Sequence, residues 1–77
     1  MTHIRVETRN QVTTIAFDRP EKLNALTRQM YAGLTAALED ASGDFGVRAV
    51  VLATTSDHFT AGNDIHDFMS APPTAQD

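Results

Sequence analysis

Two stretches decide the fold of this chain, RPEKLNAL at residues 19–26 and FTAGNDI at residues 59–65. The first follows a β-branched, apolar run and is typical of the exit of a strand, with basic side chains beside it. The second is a loop of small residues whose backbone amides can face an anion. We interpret the two stretches as parts of one site, and the elements around them are predicted in the same way.

A β-hairpin is predicted before the first stretch. Ile4, Val6 and Thr8 alternate with charged residues, which predicts a half-buried strand. Residues 10–11 are expected to form the turn, because asparagine tolerates positive φ. Residues 12–17 are then the second strand, which ends before Pro20 because proline cannot donate to a ladder.

A helix over residues 28–41 is predicted next, with Thr27 as its N-cap. Its buried face is expected to contain the apolar side chains of Met30, Tyr31, Leu34, Ala37, Leu38 and Ala41. Gly43 is expected to end the helix in the left-handed conformation. A continuous apolar strand follows at residues 48–53, of the kind that is covered on both faces.

The end of the chain is predicted to be a short helix at residues 64–69 and a small, polar tail at residues 70–77. The element order is therefore β-β-α-β, with the helix as a crossover between parallel strands. Three strands and one helix leave apolar surface uncovered, above all the face of Val50 and Leu52. We therefore expect an incomplete α/β unit, a fragment or a piece that packs against other polypeptide.

Composition restricts the class of protein. The 77 residues allow one small domain of marginal stability. Six Lys and Arg residues against ten Asp and Glu give a net charge of −4, and no basic patch indicates nucleic acid or a membrane surface. No cysteine is present, no apolar run could span a bilayer and no signal peptide is visible, so a cytoplasmic location is expected.

The AGNDI segment at residues 61–65 is the strongest candidate for chemistry. Gly62 allows the backbone to approach a ligand closely. The amides of Asn63 and Asp64 would then lie at the start of a helix, where an anion such as a thioester enolate is favoured. The alternative is an ordinary strand-to-helix turn, in which Gly62 is only permissive and Asp64 only an N-terminal charge.

The KLNAL segment at residues 22–26 is the second candidate. Lys22 and Arg19 could receive phosphate groups, while Leu23, Ala25 and Leu26 could pack against an aromatic or alkyl ligand. The alternative is a solvated turn in which Leu23 and Leu26 plug the start of the helix. Asp64, His66 and Asp67 match no metal-ligand spacing, so no metal site is predicted; Asp64 and Asp67 are expected to serve a helix N-terminus instead.

The ordered pair of motifs resembles the crotonase (enoyl-CoA hydratase/isomerase) superfamily. That family is similar in having a hairpin, an Arg-Pro-x-x-x-Asn-Ala-Leu segment, a helix, an apolar strand and a Phe-x-Ala-Gly-x-Asp-[Leu/Ile] turn. The resemblance runs from about Val12 to Phe68. It implies the N-terminal β-β-α-β part of a crotonase-like (ClpP/crotonase) spiral fold over residues 1–69, incomplete in this chain.

The resemblance also implies an acyl-CoA thioester as ligand, with no cofactor beyond the coenzyme A of the substrate. The backbone N–H of Asn63 would be one donor of an oxyanion hole. Asp64 and Ile65 would border the acyl and pantetheine path, and Lys22, Leu23, Ala25, Leu26 and Ala61, with Gly62, would line the CoA site. The presence of Asn63, where many family hydratases carry alanine, is closer to the isomerase-like branch.

The resemblance predicts hydration of a 2-enoyl-CoA, or a shift of its double bond, by a full-length enzyme that is a trimer or hexamer. The glutamates and the second oxyanion donor of the family lie beyond residue 77, so these residues alone are expected to be inactive. The alternative hypothesis is a non-catalytic module that associates with itself or with a partner through its uncovered sheet.

Overall fold

The first two strands form the predicted hairpin. The computed structural model describes residues 3–70, in which β1 (Ile4–Arg9) pairs antiparallel with β2 (Val12–Phe17). Asn10 and Gln11 both have positive φ, 51° and 69°, as a two-residue hairpin turn requires. The predicted strand bounds and the turn are confirmed, although β1 is more exposed than expected because only Ile4 is buried in it.

Helix α1 (Arg28–Ser42) follows a 3₁₀ turn at Pro20–Lys22. Thr27 is the N-cap, as predicted, and its Oγ1 accepts a hydrogen bond of 3.1 Å from the N–H of Met30. The prediction of a left-handed Gly43 is wrong, because its φ is −85°. The Gly43 N–H instead donates to the carbonyl of Glu39 at 3.0 Å, so the helix ends without a change of handedness.

Strand β3 (Ala49–Thr54) lies beside β2 and parallel to it, as the crossover predicted. It begins one residue later than expected, since Arg48 precedes it and donates its N–H to the Gln11 carbonyl at 2.7 Å. The sheet order is β1-β2-β3. Because Phe17 pairs with Thr54, β2 and β3 end side by side, and both following loops leave the same edge of the sheet.

The core lies between α1 and the β1–β2 part of the sheet. It is built from buried apolar side chains with Leu34 packed against them: Ile4, Ile15, Phe17, Leu26, Met30 and Ala37. The predicted helix face is correct for Met30, Ala37 and Ala41. It is wrong for Tyr31 and Leu38, which are 39% and 41% exposed because α1 covers β1 and β2 rather than β3.

Strand β3 keeps apolar side chains in solvent on both of its faces. Val50, Val51 and Leu52 are 39%, 44% and 45% exposed. The cover on both faces that its sequence predicts is therefore not provided within residues 3–70. The uncovered face of Val50 and Leu52 agrees with the expectation from the element count.

A short helix ends the described part of the chain. Helix α2 spans Ile65–Ser70, so it begins and ends one residue later than the predicted segment. Ser70, predicted as the start of a tail, is the last residue of this helix, and the rest of the predicted tail lies outside the described residues. Within residues 3–70, neither helix is long and apolar enough to cross a membrane.

Candidate functional site

The two motif stretches meet at the edge of the sheet where β2 and β3 end. Leu26 and Asn63 form an isolated parallel bridge. The Leu26 N–H donates to the Gly62 carbonyl at 2.7 Å, and the Asp64 N–H donates to the Leu26 carbonyl at 2.8 Å. These backbone bonds join residues 19–26 to residues 59–65 in one region of the molecule.

The backbone N–H of Asn63 points away from this bridge. It belongs to the same planar, trans peptide unit as the Gly62 carbonyl, so the two groups point in opposite directions. The Gly62 carbonyl is directed at the Leu26 N–H, and the Asn63 N–H therefore faces the opposite side. Among residues 3–70 this N–H has no hydrogen-bond partner.

Gly62 leaves the approach to that N–H open. Its φ is +95°, a conformation that side-chain-bearing residues rarely adopt, and a Cβ placed there would meet no atom within 4 Å. Its own N–H donates to Thr60 Oγ1 at 3.1 Å. Gly62 is therefore needed for the turn itself, and the turn presents an uncrowded surface beside Asn63.

The expectation that the Asp64 amide also faces an anion is wrong, because that N–H is bonded to the Leu26 carbonyl. The Asp64 carboxylate instead accepts from the N–H of Asp67 at 3.0 Å, which caps α2, and from Arg19 Nη1 at 2.8 Å. The Asp67 amide and then the Arg19 guanidinium hold the pKa of this carboxyl below its usual range. Asp64 is thus ionised at neutral pH.

One nitrogen of the Arg19 guanidinium, Nη1, contacts two protein groups. Nη1 contacts the Asp64 carboxylate and also donates to the Ala25 carbonyl at 2.9 Å. The Arg19 and Asp64 side chains are each 15% exposed. Nη1 of Arg19 is therefore occupied by protein acceptors, whereas Lys22 on the same loop is exposed. That either side chain receives a phosphate group stays a prediction.

Asn24 joins the two loops through its side chain and is fully buried. Its Nδ2 donates to Thr54 Oγ1 at 2.7 Å and to the His58 carbonyl at 2.8 Å, while Oδ1 accepts from the Arg19 N–H at 2.7 Å. Thr60 Oγ1 donates to the Asn24 carbonyl at 2.7 Å. We call this set of five residues the Asn24 junction.

The sequence analysis quoted Asn24 as part of a motif and gave it no role. Asn24 and the preceding Leu23 both have positive φ, 57° and 53°. Asparagine is one of the few residues that tolerate this region, and its amide is both donor and acceptor. An asparagine in the loop that follows a strand is the signal that indicates such a junction.

The predicted ligand-lining side chains differ in their accessibility. Lys22, Leu23, Ala61 and Ile65 are exposed, with Ile65 at 74% and Leu23 at 49%, and Ala25 is half-buried. Leu26 is 9% exposed and belongs to the core, so its side chain follows the packing alternative rather than the ligand-lining one. Its part in the site is made by its backbone, which holds the 62–64 turn.

Helix α1 contacts the second loop and α2 directly. Tyr31 Oη donates to Asn63 Oδ1 at 2.5 Å, and its ring lies edge-on to Phe68 at 6.2 Å. The Arg28 N–H donates to the Asp67 carboxylate at 2.9 Å. Asp64 thus caps the start of α2, as predicted, while the carboxylate of Asp67, in the first turn of α2, binds the start of α1, which was not predicted.

In the segment from His3 to Ser70, no three His, Cys, Asp or Glu side chains are grouped so as to hold a metal ion. The polar groups of this edge are instead bonded to one another, and the Asn63 N–H is directed outward from them.

Comparison with known proteins gives consistent matches. The family model described as enoyl-CoA hydratase/isomerase matches residues 7–77. The chain is 41% identical to enoyl-CoA delta isomerase 2 of Rattus norvegicus over 68 residues, and this match covers 88% of this chain and 17% of the relative. It is 36% identical over 74 residues to the peroxisomal enoyl-CoA delta isomerase 3 of Mus musculus, covering 96% of this chain and 23% of the relative.

Solved structures agree with these matches. The enoyl-CoA hydratase/isomerase of Pseudoalteromonas atlantica T6c is 41% identical, with a TM-score of 0.86 over 95% of this chain and 29% of that one. OdaA of Pseudomonas aeruginosa is 43% identical, with a TM-score of 0.91 over 100% of this chain and 31% of that one. The chain therefore spans less than a third of the length of each relative named.

Proposed function

The chain belongs to the enoyl-CoA hydratase/isomerase (crotonase) family and has an incomplete form of its α/β fold, and from this premise we propose that it binds an acyl-CoA thioester and stabilises its enolate. The proposed donor is the backbone N–H of Asn63. The reaction of the whole enzyme is hydration of a 2-enoyl-CoA or migration of its double bond.

One observation carries this proposal: among residues 3–70 the Asn63 N–H is unpaired, and it is held facing away from the Leu26 bridge. Both proposed reactions place negative charge on the thioester oxygen. A preorganised amide aimed at such an oxygen typically stabilises the transition state by about 3–4 kcal/mol. The open surface at Gly62 supports the approach of a ligand to this amide.

The Arg19–Asp64 pair supports the same function through charge. A carboxylate next to the proposed donor would repel an enolate if it were unpaired. The Arg19 guanidinium, 2.8 Å from the Asp64 carboxylate, compensates that charge. The pair also fixes the residue that follows Asn63, so we assign Asp64 a positioning role beside the acyl path rather than a donor role.

We assign CoA contacts to the exposed residues of the two loops. The exposed Lys22 is the candidate to contact a phosphate of CoA. The exposed Leu23, with Ala25 and Ala61, is the candidate to contact its nucleotide. Ile65, which follows Asp64 and is exposed, is the candidate for the pantetheine path. These assignments follow the family resemblance and are consistent with the accessibility of each side chain.

We further propose that residues 1–77 do not catalyse turnover by themselves, because none of them matches the glutamates by which the family places water and moves a proton. Residues 1–69 are proposed to be one part of a crotonase-like domain, and the whole enzyme is proposed to be a homo-oligomer. An assay for loss of the conjugated enoyl thioester tests the first statement. Turnover by the 77-residue chain alone would contradict it.

The oxyanion assignment is tested by removing the N–H without changing the side chain. A chain of this length is accessible to chemical synthesis, so an ester can replace the peptide link between Gly62 and Asn63. Acetoacetyl-CoA, whose acyl group readily forms an enolate, is the probe. We expect binding of its enolate to weaken by about a hundredfold, as measured by the ultraviolet difference spectrum.

The matched control is an ester between Asp44 and Phe45. There too the carbonyl accepts a hydrogen bond, from the Val47 N–H at 3.0 Å, and the following N–H has no partner among residues 3–70. An ester carbonyl is a weaker hydrogen-bond acceptor than an amide carbonyl. The control therefore reproduces this side effect of the substitution outside residues 19–26 and 59–65. Equal loss of enolate binding in the two esters, or no loss in either, would contradict the assignment of Asn63.

A second candidate function is association of the chain with copies of itself. The observation in its favour is the exposed apolar surface of Val50, Val51 and Leu52 on a strand that pairs on only one side within residues 3–70. Sedimentation velocity over a range of concentrations tests this. A single monomeric species at all concentrations would contradict self-association and leave the acyl-CoA proposal unaffected.

A further inference from the structure

We propose that Tyr31 is a positioning residue for the Asn63 backbone donor and acts through the Asn63 side chain. This proposal rests on the proposed function and adds a residue from helix α1 to the site. Tyr31 Oη donates a hydrogen bond of 2.5 Å to Asn63 Oδ1. Tyr31 lies 32 positions before Asn63 in the chain, and its hydroxyl contacts the residue that carries the proposed donor.

The hydrogen bonds of the neighbouring peptide units explain why a side-chain contact matters here. The peptide unit before Asn63 is held at its carbonyl by the Leu26 N–H, and the unit after it is held at the Asp64 N–H by the Leu26 carbonyl. Both bonds lie on the same side of Asn63. The outward side, where the N–H points, has neither a backbone contact nor a Cβ at Gly62 to restrain it.

The Tyr31 bond supplies a restraint from another part of the molecule. Fixing Oδ1 fixes the side-chain rotamer of Asn63, and through Cα it limits rotation of the adjacent peptide units. An amide contributes to oxyanion stabilisation only when it is already aimed at the oxygen before reaction. The hydrogen bond from Tyr31 therefore acts on the direction of the donor without touching the ligand.

Tyr31 is itself well held. Its N–H donates to the Thr27 carbonyl at 3.0 Å in the first turn of α1, and its ring lies edge-on to Phe68. The adjacent Arg28 N–H binds the Asp67 carboxylate, and the Arg28 guanidinium lies 5.6 Å from the centre of the Phe68 ring. Helix α1 and helix α2 are thereby joined beside the turn.

This arrangement gives the side chain at position 63 a role, although the donor is a backbone group. A residue without a side-chain acceptor at that position would leave the Tyr31 hydroxyl without this partner. Asn63 and Tyr31 are therefore expected to behave as a pair, in which loss of either removes the same restraint. Independent effects of the two residues are incompatible with the proposal.

The test is a double-mutant cycle with Tyr31→Phe, Asn63→Ala and the double variant, since Phe retains the ring against Phe68. In ¹⁵N-labelled protein without ligand, Tyr31→Phe is expected to shift the backbone amide of Asn63 and to average its Hα–Hβ couplings. Acetoacetyl-CoA enolate binding is expected to weaken about fivefold in each single variant, the usual effect of one hydrogen bond. The double variant is expected to be no worse than either.

Two results would overturn the proposal. One is an unchanged Asn63 amide and unchanged couplings in Tyr31→Phe; the other is a double variant whose loss is the product of the single losses. The ligand-free spectra decide the matter even if the wild-type chain does not bind acetoacetyl-CoA, an outcome that counts against the proposed function instead. A thermal melt of each variant shows whether a loss of binding merely follows a loss of folding.

Discussion

The edge of the sheet where β2 and β3 end differs sharply from the outer strand β3 itself. At the edge, polar groups from two distant loops satisfy one another, and the fully buried Asn24 bonds to three other residues of the Asn24 junction through its side chain. Along β3, Val50, Val51 and Leu52 remain exposed. The two loops are thus joined by hydrogen bonds within residues 3–70, with the Asn63 N–H left free, while the hydrophobic surface of β3 beside them is left without cover.

This difference teaches that the two regions depend on different partners. Hydrogen bonds within residues 19–26 and 54–64, together with the one from Tyr31, hold the direction of the Asn63 N–H. Burial of β3 needs apolar surface that residues 3–70 do not supply, and the relatives named above are several times longer than the chain. The geometry of the site and the stability of the fold can therefore be tested by separate substitutions.

The largest effect is expected from Asn24→Ala, which removes the centre of the Asn24 junction. It deletes bonds to Thr54, His58 and Arg19 and leaves buried groups without partners, and it places alanine at a φ of 57°. We expect a loss of about 3 kcal/mol in the free energy of unfolding, measured with urea. Asn24→Asp keeps the acceptor for the Arg19 N–H and the tolerance of positive φ, but it buries a carboxylate oxygen against the His58 and Phe59 carbonyls, so it should not restore the lost stability.

A smaller effect is expected from Gly62→Ala, since no atom lies where the Cβ would be and only backbone strain opposes it. At a φ of +95° we expect about 1–2 kcal/mol of destabilisation, again by urea unfolding. Gly43→Ala is the matched control, because its φ is −85° and it should be close to neutral. Equal costs at both glycines would show that the turn geometry described here is wrong.

The dependence of stability on acid pH tests the two ion-paired carboxylates near the end of β2, Asp64 and Asp18. The pKa of Asp64 is lowered by the Asp67 amide and then by Arg19, and that of Asp18 by the Thr55 hydroxyl and then by Arg5. A carboxyl whose pKa is lower in the folded than in the unfolded state stabilises the folded state. This contribution is complete when the pH is above the unfolded-state pKa, near 4, and it is lost as the pH falls through the folded-state pKa.

We therefore expect the urea midpoint to fall as the pH is lowered below about 4. Asp64→Asn should make this fall shallower, because the variant lacks one of the two carboxyl groups whose pKa differs between the folded and the unfolded state. Asp18→Asn should act in the same direction. An unchanged acid slope in Asp64→Asn would mean that neither the Asp67 amide nor Arg19 holds the Asp64 carboxylate in solution.

The smallest effect is expected at Leu52, which is directly opposite Ile15 in the β2–β3 register. Leu52→Thr should change the free energy of unfolding by no more than about 0.5 kcal/mol, because the side chain is 45% exposed. Ile15→Val, at a fully buried site, should cost about 1 kcal/mol although it removes only one methylene group. A larger cost at Leu52 than at Ile15 would show that polypeptide covers β3 in solution.

Local signals predicted most of the fold. The β1 strand, the Asn10 turn and the Thr27 cap each depend on residues close in sequence, and their positions were predicted correctly, although β1 is not half-buried. The exposure of Tyr31 and Leu38 could not be predicted, because it depends on which strands α1 covers. A helical pattern identifies an apolar face but does not state what lies against it.

The candidate site was predicted less completely for a similar reason. Sequence analysis identified Asn63 and Gly62, whose conformational preferences are local. It did not find the Asn24 junction, the Tyr31–Asn63 bond or the loss of the Asp64 amide to Leu26, since each joins residues more than 29 positions apart. Such pairs are set by the parallel register of β2 and β3, which only the tertiary structure defines.

The most direct test of the central claim is a titration of ¹⁵N-labelled protein with acetoacetyl-CoA, followed at the backbone amide of Asn63. If this N–H receives the enolate oxygen, its proton resonance should move downfield by more than that of any other amide in the two loops. Binding that shifts the exposed residues of the 19–26 loop while the Asn63 amide stays in place would contradict the claim.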